Sequence, residues 1–249
     1  MMKKNSVLIT GSAKRIGRET SLNMASQGFD IAISYNNSQI EAKNLSQEIQ
    51  EKYNVKCDIF KADLTKKDDA KNLMKQVLEQ FPDLNLLINN ASIFNKSKFL
   101  DEGLELENNM AVHFHSPLIL SKEFAKNVKT REIKNAQIIN FVDKNIARFD
   151  TNYFYYLLSK KLLAEFTKML SLELAPEIRV NAIAPGFILN SIDEENPSEE
   201  TKKLIAKIPL QQKGDVENIL QAINFLIKND FVSGQILFID GAASLNHAG

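Results

Sequence analysis

The sequence is poor in the residues from which covalently stapled or metal-held folds are built. Cys57 is the only cysteine among 249 residues, so no intrachain disulfide can form and no Cys-based metal site can be assembled. It is expected to pack as a small core residue. His113, His115 and His247 lack zinc-ligand spacing with a carboxylate partner, and no metal is expected. Formal net charge is zero, with 31 Lys and Arg against 31 Asp and Glu. No long basic block occurs either, which argues against nucleic acid as a partner. No apolar run approaches about 18 residues, so no membrane-spanning helix is expected. Met1-Met2-Lys3-Lys4 leads into a strand rather than a signal core, and a cytoplasmic protein is expected. There is no linker, composition break or internal repeat. A single domain over 1–249 follows, long enough to bury a continuous core.

What is present is alternation. Short apolar runs at 6–10, 30–34, 56–61, 84–88, 138–142, 178–184 and 235–239 read as strands. Between them lie helical segments, among them 39–53, a long one at about 104–128 that Pro117 should kink, 153–174 and 216–228. The pattern predicts an α/β fold: a doubly wound parallel sheet of about seven strands with helices on both faces. The polar segment 187–209, with a short helical pattern at 198–207, has the size and position of a lid.

Three stretches carry chemistry. In the first, the strand ending at Thr10 runs into Gly11-Ser12-Ala13-Lys14-Arg15-Ile16-Gly17 and then a helix closed by Gly28. Glycine lets the backbone approach a pyrophosphate, and the helix N-terminus stabilises its charge. The G-x-G-x-x-G pattern is not matched, so an ordinary tight turn is the alternative. After the second strand comes Tyr35-Asn36-Asn37-Ser38, with no acidic residue to hold ribose hydroxyls and repel a 2′-phosphate. Asn36, Asn37 and Ser38 can donate to that phosphate, and Lys14 and Arg15 supply charge, which favours NADP(H) over NAD. No arginine follows the strand. Asp63, before Leu64, either accepts from an adenine amino group or caps the next helix.

The second stretch is Asn89-Asn90-Ala91-Ser92-Ile93-Phe94 at the end of the fourth strand. Small residues and amides there suit a crevice where a ligand lies against backbone, although Asn-Asn is also a good turn. The third is the run from Ala136 to Lys160. Its buried strand delivers Asp143, and after a loop of about ten residues a helix sets Tyr156 and Lys160 four apart on one face. A tyrosine is a weak acid at neutral pH, with a reference pKa of about 10. An ammonium one turn away is expected to lower it, so that the pair can exchange a proton during catalysis.

Thr10-Gly11-x5-Gly17, Asn89-Asn90-Ala91, Tyr156-x3-Lys160 and Pro185-Gly186, in that order, resemble the short-chain dehydrogenase/reductase family over essentially the whole chain. The resemblance implies a Rossmann-type sheet, a nicotinamide cofactor, Tyr156 as proton donor and Lys160 on the nicotinamide ribose. It also implies a homotetramer. Cofactor contacts are then expected from Gly11, Lys14, Arg15, Ile16 and Gly17, from Tyr35 to Ser38, and from Asp63 and Leu64. Asn90, Ala91, Ser92, Tyr156, Lys160, Pro185, Gly186 and Ile188 complete the set.

Three departures from the common pattern, Arg15 for a glycine, Asp143 for a serine and Ser92 for a second glycine, are similar to the pteridine and dihydromonapterin reductases. That subgroup's motifs are matched from Thr10 to Gly17, from Asn90 to Phe94 and, with Phe141 replacing a methionine, from Ile138 to Asp143. The subgroup implies NADPH-dependent reduction of a dihydropterin such as dihydromonapterin or dihydrobiopterin, or of dihydrofolate. Phe94 would stack on the pterin. Ser92, Arg15 and Tyr153 would line its pocket, and Asp143 would orient and proton-couple Tyr156. His113 stands where the family usually carries an asparagine that helps hold a water chain to the lysine, a chain that a histidine can bridge. The rival readings are a ketone reductase, such as a 3-oxoacyl thioester reductase, and a non-catalytic NADP-binding protein.

Overall fold

The computed structural model describes residues 5–103, 105–188 and 198–246. Seven strands, β1 (Ser6–Ile9), β2 (Asp30–Tyr35), β3 (Cys57–Lys61), β4 (Leu86–Asn89), β5 (Ala136–Phe141), β6 (Ile178–Pro185) and β7 (Ile236–Ile239), form one sheet in the order β3-β2-β1-β4-β5-β6-β7. Every adjacent pair is parallel. The connections are α1 (Arg15–Ser26), α2 (Gln39–Tyr53), α3 (Lys67–Gln80), α4 (Glu105–Met110), α5 (Ser116–Arg131), α6 (Phe154–Glu173), α7 (Glu199–Ala206) and α8 (Val216–Lys228). The doubly wound parallel sheet expected from the sequence is the fold observed.

Strand periodicity explains why both faces are covered. Val7, Ile9, Leu86, Ile88 and Ile139 point to one side, where they meet Met24 of α1, Leu45 of α2 and Ile223 of α8. Leu8, Leu87 and Ile138 point to the other, against Leu73 of α3 and Leu120 and Phe124 of α5. Each such side chain taken wholly out of water contributes about 1.5–3 kcal/mol. Cys57 lies in the first of these cores as a free thiol, and burial pushes its pKa up to about 12, so it is inert as a nucleophile.

One expectation needs correction. The helix predicted at 104–128 is α4 and α5 separated by a π-helical turn, Ala111–His115. Pro117 lacks an N–H and its ring crowds the carbonyl four residues back, so the ladder takes a wide turn just before it rather than only bending. Of the lid segment, only its flanks are described: Phe187 and Ile188, and α7 with the residues after it. The rest, 189–197, lies outside the described residues, as does His247. The strand order reverses between β1 and β4, so the crevice at their carboxyl ends is where an open α/β sheet binds ligands.

Candidate active site

The floor of that crevice is a braced glycine turn. Gly11 has φ +62° and lies so close to Ala91 that an added Cβ would stand 2.9 Å from the Ala91 Cα. A Cβ on Gly17 would come within 2.7 Å of the Gly11 carbonyl oxygen and the Ser12 Cα. Thr10 Oγ1 accepts from the backbone N–H of both Asn90 and Ala91, at 3.0 Å each. Asn90 Nδ2 donates to the Thr10 carbonyl at 2.9 Å and the Gly11 carbonyl at 3.2 Å. The Asn90 side-chain nitrogen thus braces the turn.

Arg15 has φ +53°, the left-handed region that costs a residue with a Cβ about 1 kcal/mol. Its side chain is exposed above the turn. Lys14 is not a free cation: its Nζ lies 2.5 Å from Glu41 Oε1 in the first turn of α2. The hydrogen bond from Lys14 holds the Glu41 carboxyl below its usual range.

A cavity of about 200 Å³ opens beside the turn and brings together Gly11, Tyr35, Asn36, Asp63, Leu64, Ala91 and Ser92. Asn37 is exposed and Ser38 half-buried at the start of α2. Asp63 does not cap α3. Its Oδ1 accepts from the backbone N–H and hydroxyl of Thr65, at 3.1 and 2.7 Å, and Lys66 follows as the uncapped N-terminal residue. Ile16 and Ile188 pack on the hydrophobic core. Gly186 N donates to the Ile239 carbonyl, and Pro185 closes β6 beside it. A larger cavity, about 470 Å³, lies between the segment at 208–214, α8 and β7, away from Tyr156.

On the far side of the crevice, β5 and α6 place Asp143, Tyr156 and Lys160. The Tyr156 hydroxyl donates to Asp143 Oδ2 at 2.8 Å, while Asp143 Oδ1 accepts from the Asn145 N–H at 2.7 Å and caps the 3-10 turn Lys144–Ala147. One carboxylate therefore both starts the loop and holds the tyrosine. Burial first, then the charge of Asp143, push the Tyr156 pKa far up, with a weak opposing pull from Ser92.

This corrects the expected role of Lys160. Its Nζ donates to the Phe141 carbonyl at 2.7 Å and lies 5.9 Å from the Tyr156 ring centre, so in this geometry it does not make the phenol more acidic. Lys160 is itself pulled down to about 8 by burial, against the opposing charge of Asp143.

An aromatic wall stands next to the tyrosine. Phe94 stacks on Tyr153 with ring centres 4.5 Å apart and planes 12° from parallel, and meets Tyr156 edge-on at 4.8 Å. The wall is held by backbone pairing: Ser97 N donates to the Asn152 carbonyl, and Phe154 N to the Ser97 carbonyl. Phe94 is 58 % exposed, with one face on Tyr153 and the remainder turned to the opening.

His113 is fully buried in the π turn and makes no direct hydrogen bond to Lys160. Its Nε2 lies 3.0 Å from Ser92 Oγ and accepts from the Ile93 N–H at 3.2 Å; its Nδ1 lies 2.8 Å from Ser159 Oγ. Nothing in the spacing of Ser159 or Glu41 marked them beforehand, and Thr10 was marked only as the start of the Thr-Gly motif. Among the described residues no group of three His, Cys, Asp or Glu side chains could hold a metal ion, and no helix is long and apolar enough to cross a membrane.

The parallel sheet, the glycine turn at the switch point and a Tyr-Lys pair behind it define an oxidoreductase of the short-chain dehydrogenase/reductase family, to which the chain belongs. A family model described as enoyl-(acyl carrier protein) reductase matches residues 11–243. A 3-oxoacyl-[acyl-carrier-protein] reductase, FabG of Staphylococcus epidermidis, is 28 % identical over 95 % of this chain and 97 % of its own length. The crystal structure of FolM alternative dihydrofolate reductase 1 from Brucella canis, complexed with NADP, superposes with a TM-score of 0.89 at 31 % identity, covering 100 % of this chain and 97 % of that one. Acetoin dehydrogenase from Enterobacter cloacae superposes at 0.88 with 25 % identity, covering 99 % and 97 %.

Proposed function

We propose that the protein is an NADPH-dependent reductase of a dihydropterin, such as dihydromonapterin or dihydrobiopterin, or of dihydrofolate. The observation that carries this reading is the contact between Asp143 and Tyr156 beside the Phe94–Tyr153 wall. A carboxylate on the tyrosine has no use as a donor to a ketone oxygen, whereas a flat heterocycle needs an aromatic face and a proton delivered to a ring nitrogen. The FolM neighbour, a dihydrofolate reductase in complex with NADP, supports the substrate class and the cofactor together.

The residues present fit NADP(H). The glycine turn leaves room for a pyrophosphate, the small cavity suits the adenosine half, and no acidic residue closes β2. When bound, the cofactor supplies a hydride to a carbon of the substrate's C=N bond. Tyr156, oriented by the Asp143 carboxylate, delivers its proton to the adjacent nitrogen, and the phenolate left behind takes a proton from solvent; Lys160 would hold the nicotinamide ribose. Arg15 spans cofactor phosphate and substrate, and its left-handed backbone is the strain that this placement costs.

A 3-oxoacyl thioester or other ketone reductase is the second reading, favoured by FabG and the acetoin dehydrogenase. We also propose that the protein assembles as a homotetramer, since α6 exposes Leu158, Leu162, Met169 and Leu172 along one side, and Phe225 and Phe238 are exposed on α8 and β7. Light scattering of the purified protein tests the assembly.

NADPH oxidation with dihydromonapterin, dihydrobiopterin, dihydrofolate and an acetoacetyl thioester tests the function. Turnover of pterins or dihydrofolate, reduced at least about a hundredfold in Tyr156→Phe, is the expected result. Turnover of the thioester alone would establish the ketone reading instead. NADPH binding without turnover of any substrate would establish a non-catalytic binding protein.

A further inference from the structure

We propose that His113 is a specificity-determining positioning residue. By accepting hydrogen bonds at Nε2, it presents Ser92 Oγ to the site as a hydrogen-bond acceptor, suited to an amino or lactam N–H on the edge of a flat heterocycle. The substrate class rests on the reading above; the assignment of His113 rests on its own bonds.

One group beside the imidazole has a fixed polarity. The backbone N–H of Ile93 can only donate, and it points at Nε2 from 3.2 Å, so Nε2 carries a lone pair and no proton. The neutral ring then has its proton on Nδ1, where it meets Ser159 Oγ at 2.8 Å. Ser159 donates its own hydroxyl to the Tyr156 carbonyl at 2.8 Å, leaving its oxygen free to accept from Nδ1. Every bond in the chain has one donor and one acceptor, and it ends at the backbone of α6. Burial, helped by the nearby charge of Lys160, holds the imidazole well below its ordinary pKa, so a second ring proton does not compete.

Ser92 completes the chain. Its Oγ lies 3.0 Å from the bare Nε2 and 3.3 Å from its neighbour's carbonyl oxygen, Ile93 O. Both groups accept, so while Tyr156 keeps its proton on Asp143 the hydroxyl hydrogen turns inward, and only a Tyr156 phenolate would draw it out. Ser92 is otherwise exposed and lines the cavity at the crevice, so what it offers outward is lone pairs. A ketone oxygen needs a donor and gains nothing from this serine; a heterocycle carrying N–H groups beside Phe94 does. The same clamp ties the start of the Ser92–Phe94 segment to α6, which carries Tyr156.

The test measures binding of pterin, and of quinoxaline as a flat bicycle without N–H donors, by fluorescence competition in the presence of NADP⁺. No hydride is then available, and turnover does not intervene. In Ser92→Ala and His113→Phe, pterin binding is expected to weaken about tenfold and quinoxaline binding less than about twofold, the loss of one directed hydrogen bond. On the wild-type protein, ¹⁵N NMR is expected to show His113 neutral and protonated at Nδ1. A proton on Nε2, or equal weakening for both ligands, or unchanged pterin binding in Ser92→Ala, overturns the assignment while the pterin reading stands. Failure of the wild-type protein to bind pterin overturns both. Should His113→Phe fail to fold, Ser92→Ala and the NMR tautomer decide the matter.

Discussion

The two walls of the crevice are built by opposite means. The wall formed by the glycine turn is backbone packed on backbone: Gly11 touches Ala91, Gly17 touches Gly11 and Ser12, and the polar side chains of Thr10 and Asn90 serve only to lock them. The wall formed by β5 and α6 is side chain on side chain, with Tyr156 and Lys160 buried and Asp143 half-buried between a loop and a phenol. The first achieves shape through absent atoms. The second achieves reactivity by keeping polar groups out of water, where small changes of distance move their protonation. The two walls should therefore fail differently: the turn through loss of space, the chemical wall through loss of proton control with little change of shape.

The largest effect is expected at Lys160. Lys160→Met should lower kcat/KM for the best substrate by about a thousandfold, yet stabilise the fold at neutral pH by about 1–3 kcal/mol in urea melts. The sign follows from the depressed pKa. The unfolded chain takes up a proton at this lysine up to about 10.5, whereas the folded chain holds it only up to about 8. Wild-type stability should thus rise with pH between those values, and the advantage of the methionine should vanish there. An advantage unchanged from pH 7 to pH 10 would show that Lys160 is not the buried strained cation described above.

Asp143→Asn comes next. It keeps the size of the side chain but removes the carboxylate that orients the Tyr156 hydroxyl, and kcat should fall about a hundredfold. KM should move little, and the thermal midpoint should shift by less than about 4 °C. A fall in KM and kcat together, with a large loss of stability, would mean that capping the 3-10 turn is the residue's main task.

Gly17→Ala attacks the other wall. The new methyl would stand 2.7 Å from two backbone atoms, so a loss of about 1–3 kcal/mol is expected. NADPH binding, followed by fluorescence, should weaken with it. Normal stability and affinity would show that the turn opens more easily than its packing indicates.

The smallest effect is expected at Arg15, in the glycine turn. Arg15→Gly should stabilise the fold by up to about 1 kcal/mol by releasing the left-handed strain, while raising KM for the substrate several-fold. A loss of stability on that change would break the argument from strain.

Much of this was legible in the chain. The alternation of apolar runs and amphipathic segments placed α2 at 39–53 and α8 at 216–228 as observed, because burying both faces of a sheet forces period-two strands and one-sided helices. Asp143, Tyr156 and Lys160 could also be picked out as candidates, since spacing within one helix and the end of one strand is local information. What was misread was always a matter of partners. Lys14 was counted as a free charge and is paired with Glu41; Lys160 was assigned to the tyrosine's acidity and instead donates to Phe141; the contacts of His113 with Ser92 and Ser159 were not foreseen.

The sequence by itself determined the sheet, the glycine turn and the candidates for the reactive groups, because short-range periodicity and residue chemistry carry that information. Only the tertiary structure decided which groups share protons. That depends on distances between residues 13 to 46 positions apart and on which of them the packed core strips of water, and neither is written in any local stretch of the chain.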